Sequence, residues 1–164
     1  MLLLLIATVS PAWALTPFEE FNGAKLQVSP VKVKSMISPE ETKAGENFRL
    51  HVHVTMDPGW HIYSINPAEE NKILATALHL RSHKFLPVGE WKESKPTITL
   101  DQAVEKILKT HESMVEFVHE FQVPDSAGQG SYPIKGEIIY RVCDNLVCSL
   151  SRKLPFTSKV QIIQ

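Results

Sequence analysis

From Phe48 to Met56 every second residue is apolar (Phe48, Leu50, Val52, Val54, Met56), and Arg49, His51, His53 and Thr55 between them are polar. A period of two marks a chain with one face buried and the other wet, so this stretch predicts a β-strand. Asp57-Pro58-Gly59 then supplies turn residues, and Trp60 to Ser64 resumes with aromatic and branched side chains before Asn66-Pro67. A second strand after a tight corner follows from that pattern. Thr76, Leu78 and Leu80 mark one face of another strand, and Val115, Phe117, Phe121 and Val123 mark one that stops at Pro124-Asp125. Ile134, Ile138, Tyr140 and Val142 line one face of a strand running into Cys143, which the same alternation turns outward with Glu137 and Arg141. Val31-Lys32-Val33 reads as a short edge strand, and Lys159 to Ile163 as the last one. Residues 103–110 break the pattern, because Val104, Ile107 and Leu108 have helical spacing between neighbours that read as strands.

Short strands separated by turn signals, without long amphipathic helices to cover a parallel sheet, predict an all-β fold. An immunoglobulin-like antiparallel β-sandwich fits best. At 164 residues the chain is long enough for one domain. The first fourteen residues stand apart: they are uncharged, carry the apolar run Leu2 to Ile6 and end in Ala12-Trp13-Ala14. That small-x-small ending is what signal peptidase reads, and the run is shorter than the ~20 residues that span a bilayer. Residues 1–14 are therefore expected to be a signal peptide and residues 15–164 a single domain, monomeric and periplasmic, in an oxidising space. With 17 basic and 18 acidic residues and no run of like charge, the chain has no electrostatic footprint for nucleic acid.

The chemistry sits in Cys143 and Cys148, the two cysteines of the chain, with Asp144-Asn145-Leu146-Val147 between them. Asp-Asn after a strand signals a turn, and a hairpin would bring the sulfurs together. A bridge across so short a loop contributes only about 2 kcal/mol by loop entropy, which is a modest reason to keep one. Two readings stand: a surface staple in a secreted binding or assembly module, or an accessible, exchangeable disulfide. Asp144 beside Cys143 would raise that thiol's pKa, with Arg141 and Arg152 opposing it. No metal or other cofactor is expected, since two cysteines lack a further pair or clustered histidines to close a zinc site. His51 and His53 share a strand face and point to solvent, and His79 and His83 would meet only on a helix. Trp60, Tyr63 and Trp91 read as core or corner residues, and Lys92, Glu93 and Lys95 as a solvated loop before Pro96.

Gly136 to Cys148, together with Pro58-Gly59-Trp60-His61-Ile62-Tyr63-Ser64 and Asn66-Pro67, resembles the periplasmic amino-terminal domain of the DsbD thiol:disulfide interchange family. The likeness runs from about Lys32 to Ile163. It implies an immunoglobulin-like domain whose cysteine pair takes electrons from a thioredoxin-like or membrane-embedded donor and passes them to oxidised periplasmic client proteins. Cys143 and Cys148 would be the redox pair, with Cys148 the sulfur in mixed disulfides, and Tyr63 would match an aromatic beside the site. Ser149-Leu150 stands where family members often have prolines, and Gly89-Glu90-Trp91 is the loose counterpart of an aromatic loop that shields the family's disulfide.

Overall fold

The computed structural model describes residues 29–164 apart from residue 82, so the expected signal peptide at residues 1–14 lies outside the described residues. The strands are β1 (Val31–Ser38), β2 (Glu41–Thr42), β3 (Asn47–Met56), β4 (His61–Tyr63), β5 (Ala77–Leu80) and β6 (Leu86–Glu93). They continue with β7 (Thr97–Asp101), β8 (Lys106–Glu112), β9 (Met114–Gln122), β10 (Gly130–Tyr140), β11 (Val142–Cys143) and β12 (Arg152–Ile162). The one helical element among the described residues is a 3₁₀ turn, Glu69–Leu74.

Three sheets form, ordered β1-β3-β9-β6, β2-β12-β10-β5 and β11-β4-β8-β7. The first two make the sandwich. Alternation in β3 buries Phe48, Leu50, Val52 and Val54, and the register with β9 sets Phe48 opposite Phe121, Val52 opposite Phe117 and Val54 opposite Val115. This inner face meets Ile134, Ile138 and Tyr140 of β10 and Phe156, Val160 and Ile162 of β12 in one core. The all-β, immunoglobulin-like antiparallel sandwich expected from the sequence is the fold of the described residues, with β2 and β12 paired in parallel.

The third sheet carries the cysteines. Its entry is the corner after β3, where the Trp60 N–H donates to the Asp57 carbonyl at 3.2 Å and Gly59 takes φ +82°. That is the position of a type II turn where glycine meets no steric penalty, with Pro58 pre-set before it.

One stretch that the sequence left ambiguous is settled, and one local expectation is corrected. Residues 103–110 form a turn and the start of β8, because β7 pairs with them: Leu100 lies opposite Ile107 and Thr99 opposite Leu108. Leu108 is then 5% exposed and Ile107 70%, so the two apolar neighbours go to opposite faces of a strand instead of one face of a helix. Glu93 is no solvated loop residue either. It ends β6 with its side chain 7% exposed and its carboxylate 2.8 Å from His111 Nε2 on β8, joining the first sheet to the third. The Ser64 hydroxyl and the Ile65 N–H also donate to it. His51 and His53 do lie on the outer side of β3, both near Glu116, and among the described residues no helix joins His79 to His83.

Burial by itself would raise the Glu93 carboxyl, but the hydrogen bonds from His111, Ser64 and Ile65 outweigh it and hold the group below its ordinary value. Stability from a depressed carboxyl is complete above its unfolded value of about 4.3 and is lost as pH falls through the lower folded value. Glu93→Gln should therefore shrink the loss of unfolding free energy between neutral pH and pH about 3, measured by denaturant titration at both. Gly136 is a second sensitive point: a Cβ there would lie 2.5 Å from Phe156 Cζ and 2.9 Å from the His79 carbonyl. Gly136→Ala should cost about 1 to 3 kcal/mol of stability by forcing β5 or Phe156 aside, read from the denaturation midpoint.

Candidate functional site

Register places the site. Cys143 on β11 lies opposite His61 on β4, Tyr63 on β4 lies opposite Thr110 on β8, and Thr110 lies opposite Thr97 on β7. Residues opposite each other share a face and alternate residues repeat it. Cys143, His61, Tyr63 and Asp101 therefore emerge on one face of the third sheet, from three different strands.

There the two cysteines are bridged, with Cα atoms 4.1 Å apart. The Tyr63 phenol oxygen lies 2.9 Å from Cys143 Sγ and 3.4 Å from Cys148 Sγ. Its proton goes to Asp101 Oδ2 at 2.6 Å, and His61 Nε2 donates to the same oxygen at 2.9 Å. The other carboxylate oxygen accepts the Ala103 and Val104 N–H groups, which fixes the turn after β7. Asp101 is 2% exposed and Cys143 0%.

For Asp101, burial alone would raise the carboxyl, but hydrogen bonds from Tyr63 and His61, the His61 charge when protonated and the Val104 N–H together hold it below its ordinary value. It is an anion at neutral pH. Burial, then the hydrogen bond and charge of Asp101, push the Tyr63 phenol far above its ordinary value, with Arg141 opposing. Tyr63 therefore keeps its proton, and its oxygen lone pairs face the sulfurs.

The outward lean expected for Cys143 is corrected. The alternation continues, with Val142 on the core side like Ile138 and Tyr140, but at Arg141 the chain leaves the β10 ladder and β11 pairs with β4 instead, so the opposite face taken by Cys143 is covered by side chains of the third sheet. Val142 faces the main core, and Cys143 joins a small cluster with Tyr63 and Leu108. Cys148 is only partly buried, and Leu146, Val147 and Leu150 around it are 84%, 60% and 83% exposed. Asp144 builds the connecting turn: its Oδ1 accepts the Leu146 and Val147 N–H groups, each at 2.8 Å, and these bonds hold its carboxyl below the ordinary value. Ser149, at the expected proline position, clamps the base of the hairpin. Its N–H donates to the Val142 carbonyl at 2.9 Å, and its hydroxyl accepts the Val142 N–H at 3.1 Å.

Gly89-Glu90-Trp91 belongs to β6, where Trp91 packs on His119. Val104 and Leu74 lie against the Tyr63, Leu108 and Cys143 cluster, so the cover is aliphatic and comes from the turn after Asp101 and the 3₁₀ turn. Sequence reasoning missed His61 and Asp101. His61 was within reach, since it sits two residues before Tyr63 on the same strand face. Asp101 had no local signal, because its place depends on the β7–β8 hairpin hidden by the helical spacing. A cleft of about 140 Å³ has Tyr63 and Leu108 in its wall and one of about 410 Å³ lies beside Arg49, His51 and Glu116; neither is lined by a cysteine.

A family model described as the amino-terminal region of the thiol:disulfide interchange protein DsbD matches residues 27–157. No curated protein matches the chain in sequence. Among solved structures, the N-terminal periplasmic domain of ScsB from Proteus mirabilis is 19% identical with a TM-score of 0.47, over 76% of this chain and 44% of that one. The DsbD N-terminal domain of Neisseria meningitidis, in the reduced form, is 15% identical with a TM-score of 0.43, over 68% of this chain and 82% of that one. This chain thus spans less than half of the ScsB chain.

Since the core arises from strand alternation and the bridge closes a short loop, the Cys143→Ala/Cys148→Ala double variant should stay folded. The expected loss is about 2 to 3 kcal/mol in denaturant titration. A double variant that cannot be isolated in folded form would make the bridge a staple.

Proposed function

We propose, because this chain belongs to the family of DsbD amino-terminal domains, that it relays electrons through Cys143 and Cys148 from a thiol donor to oxidised client proteins in the periplasm. Family membership makes it a thiol-disulfide interchange domain; the direction, donor and clients are our reading. The observation that carries it is the asymmetry of the pair, with Cys143 sealed beside Tyr63 and Cys148 reachable at the end of a hairpin edged by exposed apolar side chains. In this reading residues 1–14 are a signal peptide, and residues 15–164 act as a monomeric domain.

A thiolate of a thioredoxin-like or membrane-embedded donor attacks Cys148 Sγ, forming a mixed disulfide as the Cys143–Cys148 bond breaks. Cys143 departs with the electron pair and takes up a proton. The Tyr63 oxygen, whose own proton is committed to Asp101, is placed 2.9 Å from that sulfur to accept its S–H once Cys143 is protonated. The donor's second thiol resolves the mixed disulfide, so the donor leaves oxidised and this chain holds two thiols. Cys148 then attacks a client disulfide, and Cys143 resolves that intermediate, restoring the bridge and reducing the client by two electrons and two protons. Asp144 shapes the turn that presents Cys148.

Two measurements test this. Cys143→Ser should accumulate a mixed disulfide through Cys148 with a thioredoxin-like partner, whereas Cys148→Ser should accumulate little; equal trapping, or trapping through Cys143 alone, overturns the assignment. Tyr63→Phe should slow exchange about threefold to tenfold, the worth of one hydrogen bond of roughly 0.5 to 1.5 kcal/mol. A reduction potential below about -300 mV would instead mark the bridge as structural.

A further inference from the structure

The face that holds the disulfide also gathers metal-binding chemistry that disulfide exchange does not require. His61 Nε2, an Asp101 carboxylate oxygen and Cys143 Sγ all lie within 4.8 Å of one another, and all three residues are buried. Cys148 Sγ is bonded to Cys143 Sγ, so it adds a fourth donor at the same point. They come from β4, β7, β11 and the far side of the hairpin, and only tertiary pairing brings them together. The sequence offered two cysteines with no clustered histidine; the fold supplies the missing nitrogen and oxygen donors.

We propose that the reduced form of this site binds one Zn²⁺ through His61 Nε2, the Asp101 carboxylate and the Cys143 and Cys148 thiolates. The inference rests on the relay reading, because only a chain that cycles through a dithiol presents two free sulfurs. Zinc favours a tetrahedral set of nitrogen, oxygen and thiolate donors, with bonds of about 2.0 to 2.3 Å. Such bonds separate neighbouring donors by roughly 3.3 to 3.8 Å. The 2.9 Å between His61 Nε2 and Asp101 Oδ2 needs to open by only a few tenths of an ångström. The sulfurs part on reduction, and Cys148 has room to move because its hairpin is exposed at Leu146, Val147 and Leu150.

Charge and environment agree with a divalent cation. Two thiolates and one carboxylate against Zn²⁺ leave a single negative charge, and Arg141 is close enough to act electrostatically on Tyr63 at the same place. A soft monovalent cation would leave the hard Asp101 oxygen unused. Binding displaces the two thiol protons and the His61 Nε2 proton now shared with Asp101, which passes to Nδ1 of a neutral ring or to solvent from a charged one, and it moves no electrons; the two electrons that opened the disulfide have already come from the donor dithiol, which left as a disulfide. Four protein donors close the coordination shell, so the ion opens no position for a substrate. It would instead hold both sulfurs away from oxidised clients and stop the relay.

The test uses the chain reduced chemically, freed of reductant and checked for two titratable thiols, then titrated with Co²⁺ and with Zn²⁺. One Co²⁺ should bind with a thiolate charge-transfer band and the strong visible bands of tetrahedral cobalt, and Zn²⁺ should displace it. The oxidised chain should bind neither. His61→Gln and Asp101→Asn, which keep hydrogen-bonding groups in place, should each weaken Zn²⁺ at least tenfold, while Tyr63→Phe should not. Bound Zn²⁺ should slow thiol alkylation of the wild-type chain. Two free thiols without binding of either metal, or affinity untouched by both His61→Gln and Asp101→Asn, overturns the zinc site and leaves the relay standing. A bridge that resists reduction in the folded chain overturns both.

Discussion

An ionised carboxylate buried as deeply as that of Asp101 survives only if its oxygens are hydrogen-bonded, since an unpaired charge in the interior costs several kcal/mol. Here Tyr63 and His61 satisfy one oxygen and two backbone N–H groups of the following turn satisfy the other. That one demand orients the phenol against both sulfurs, sets the imidazole beside them and folds Val104 over the cluster. It also binds β4 to β7 across the intervening β8. The pocket around Cys143 is thus a consequence of solvating one anion with protein groups.

The third sheet is held on both faces by the same device. On the face opposite the cysteines, His111 lies across from Ile62 and pairs with the buried Glu93 at the end of β6. That contact anchors the sheet to the sandwich, while the His61–Asp101 pair organises its active face. A short strand such as β4, with three residues, has few ladder bonds of its own, so these side-chain pairs define where it sits.

Rigidity and access are divided between the two sulfurs. Cys143 stands on a strand that switches partners at Arg141 and is packed on both sides. Cys148 stands on the return of a turn that closes through Asp144 and is clamped through Ser149. Two hydrogen bonds between Ser149 and Val142 hold the base of the hairpin where family members often have prolines. The turn stays defined without the ring constraint, and the exposed residues around it remain free to meet a partner.

The alternating residues of β3, β9 and β10 determined the sandwich by themselves, because burying one face of a strand is written locally at period two. The corner at Pro58-Gly59 and the turn at Asp144-Asn145 were legible for the same reason: their backbone geometry is demanded by adjacent residues. β1 and β12 were recognised but run longer than their patterns, since ladder partners extend strands through residues with no strong preference of their own. The spacing of Val104, Ile107 and Leu108 pointed to a helix until pairing with β7 overrode it. What only the tertiary structure decided was the setting of the cysteines. Cys143 is buried because β11 leaves one ladder for another, and His61 and Asp101 reach it because register across three strands places them on one face. Those distances are between residues up to 82 positions apart, Asp101 to His61 to Cys143, and no period within a single strand encodes them.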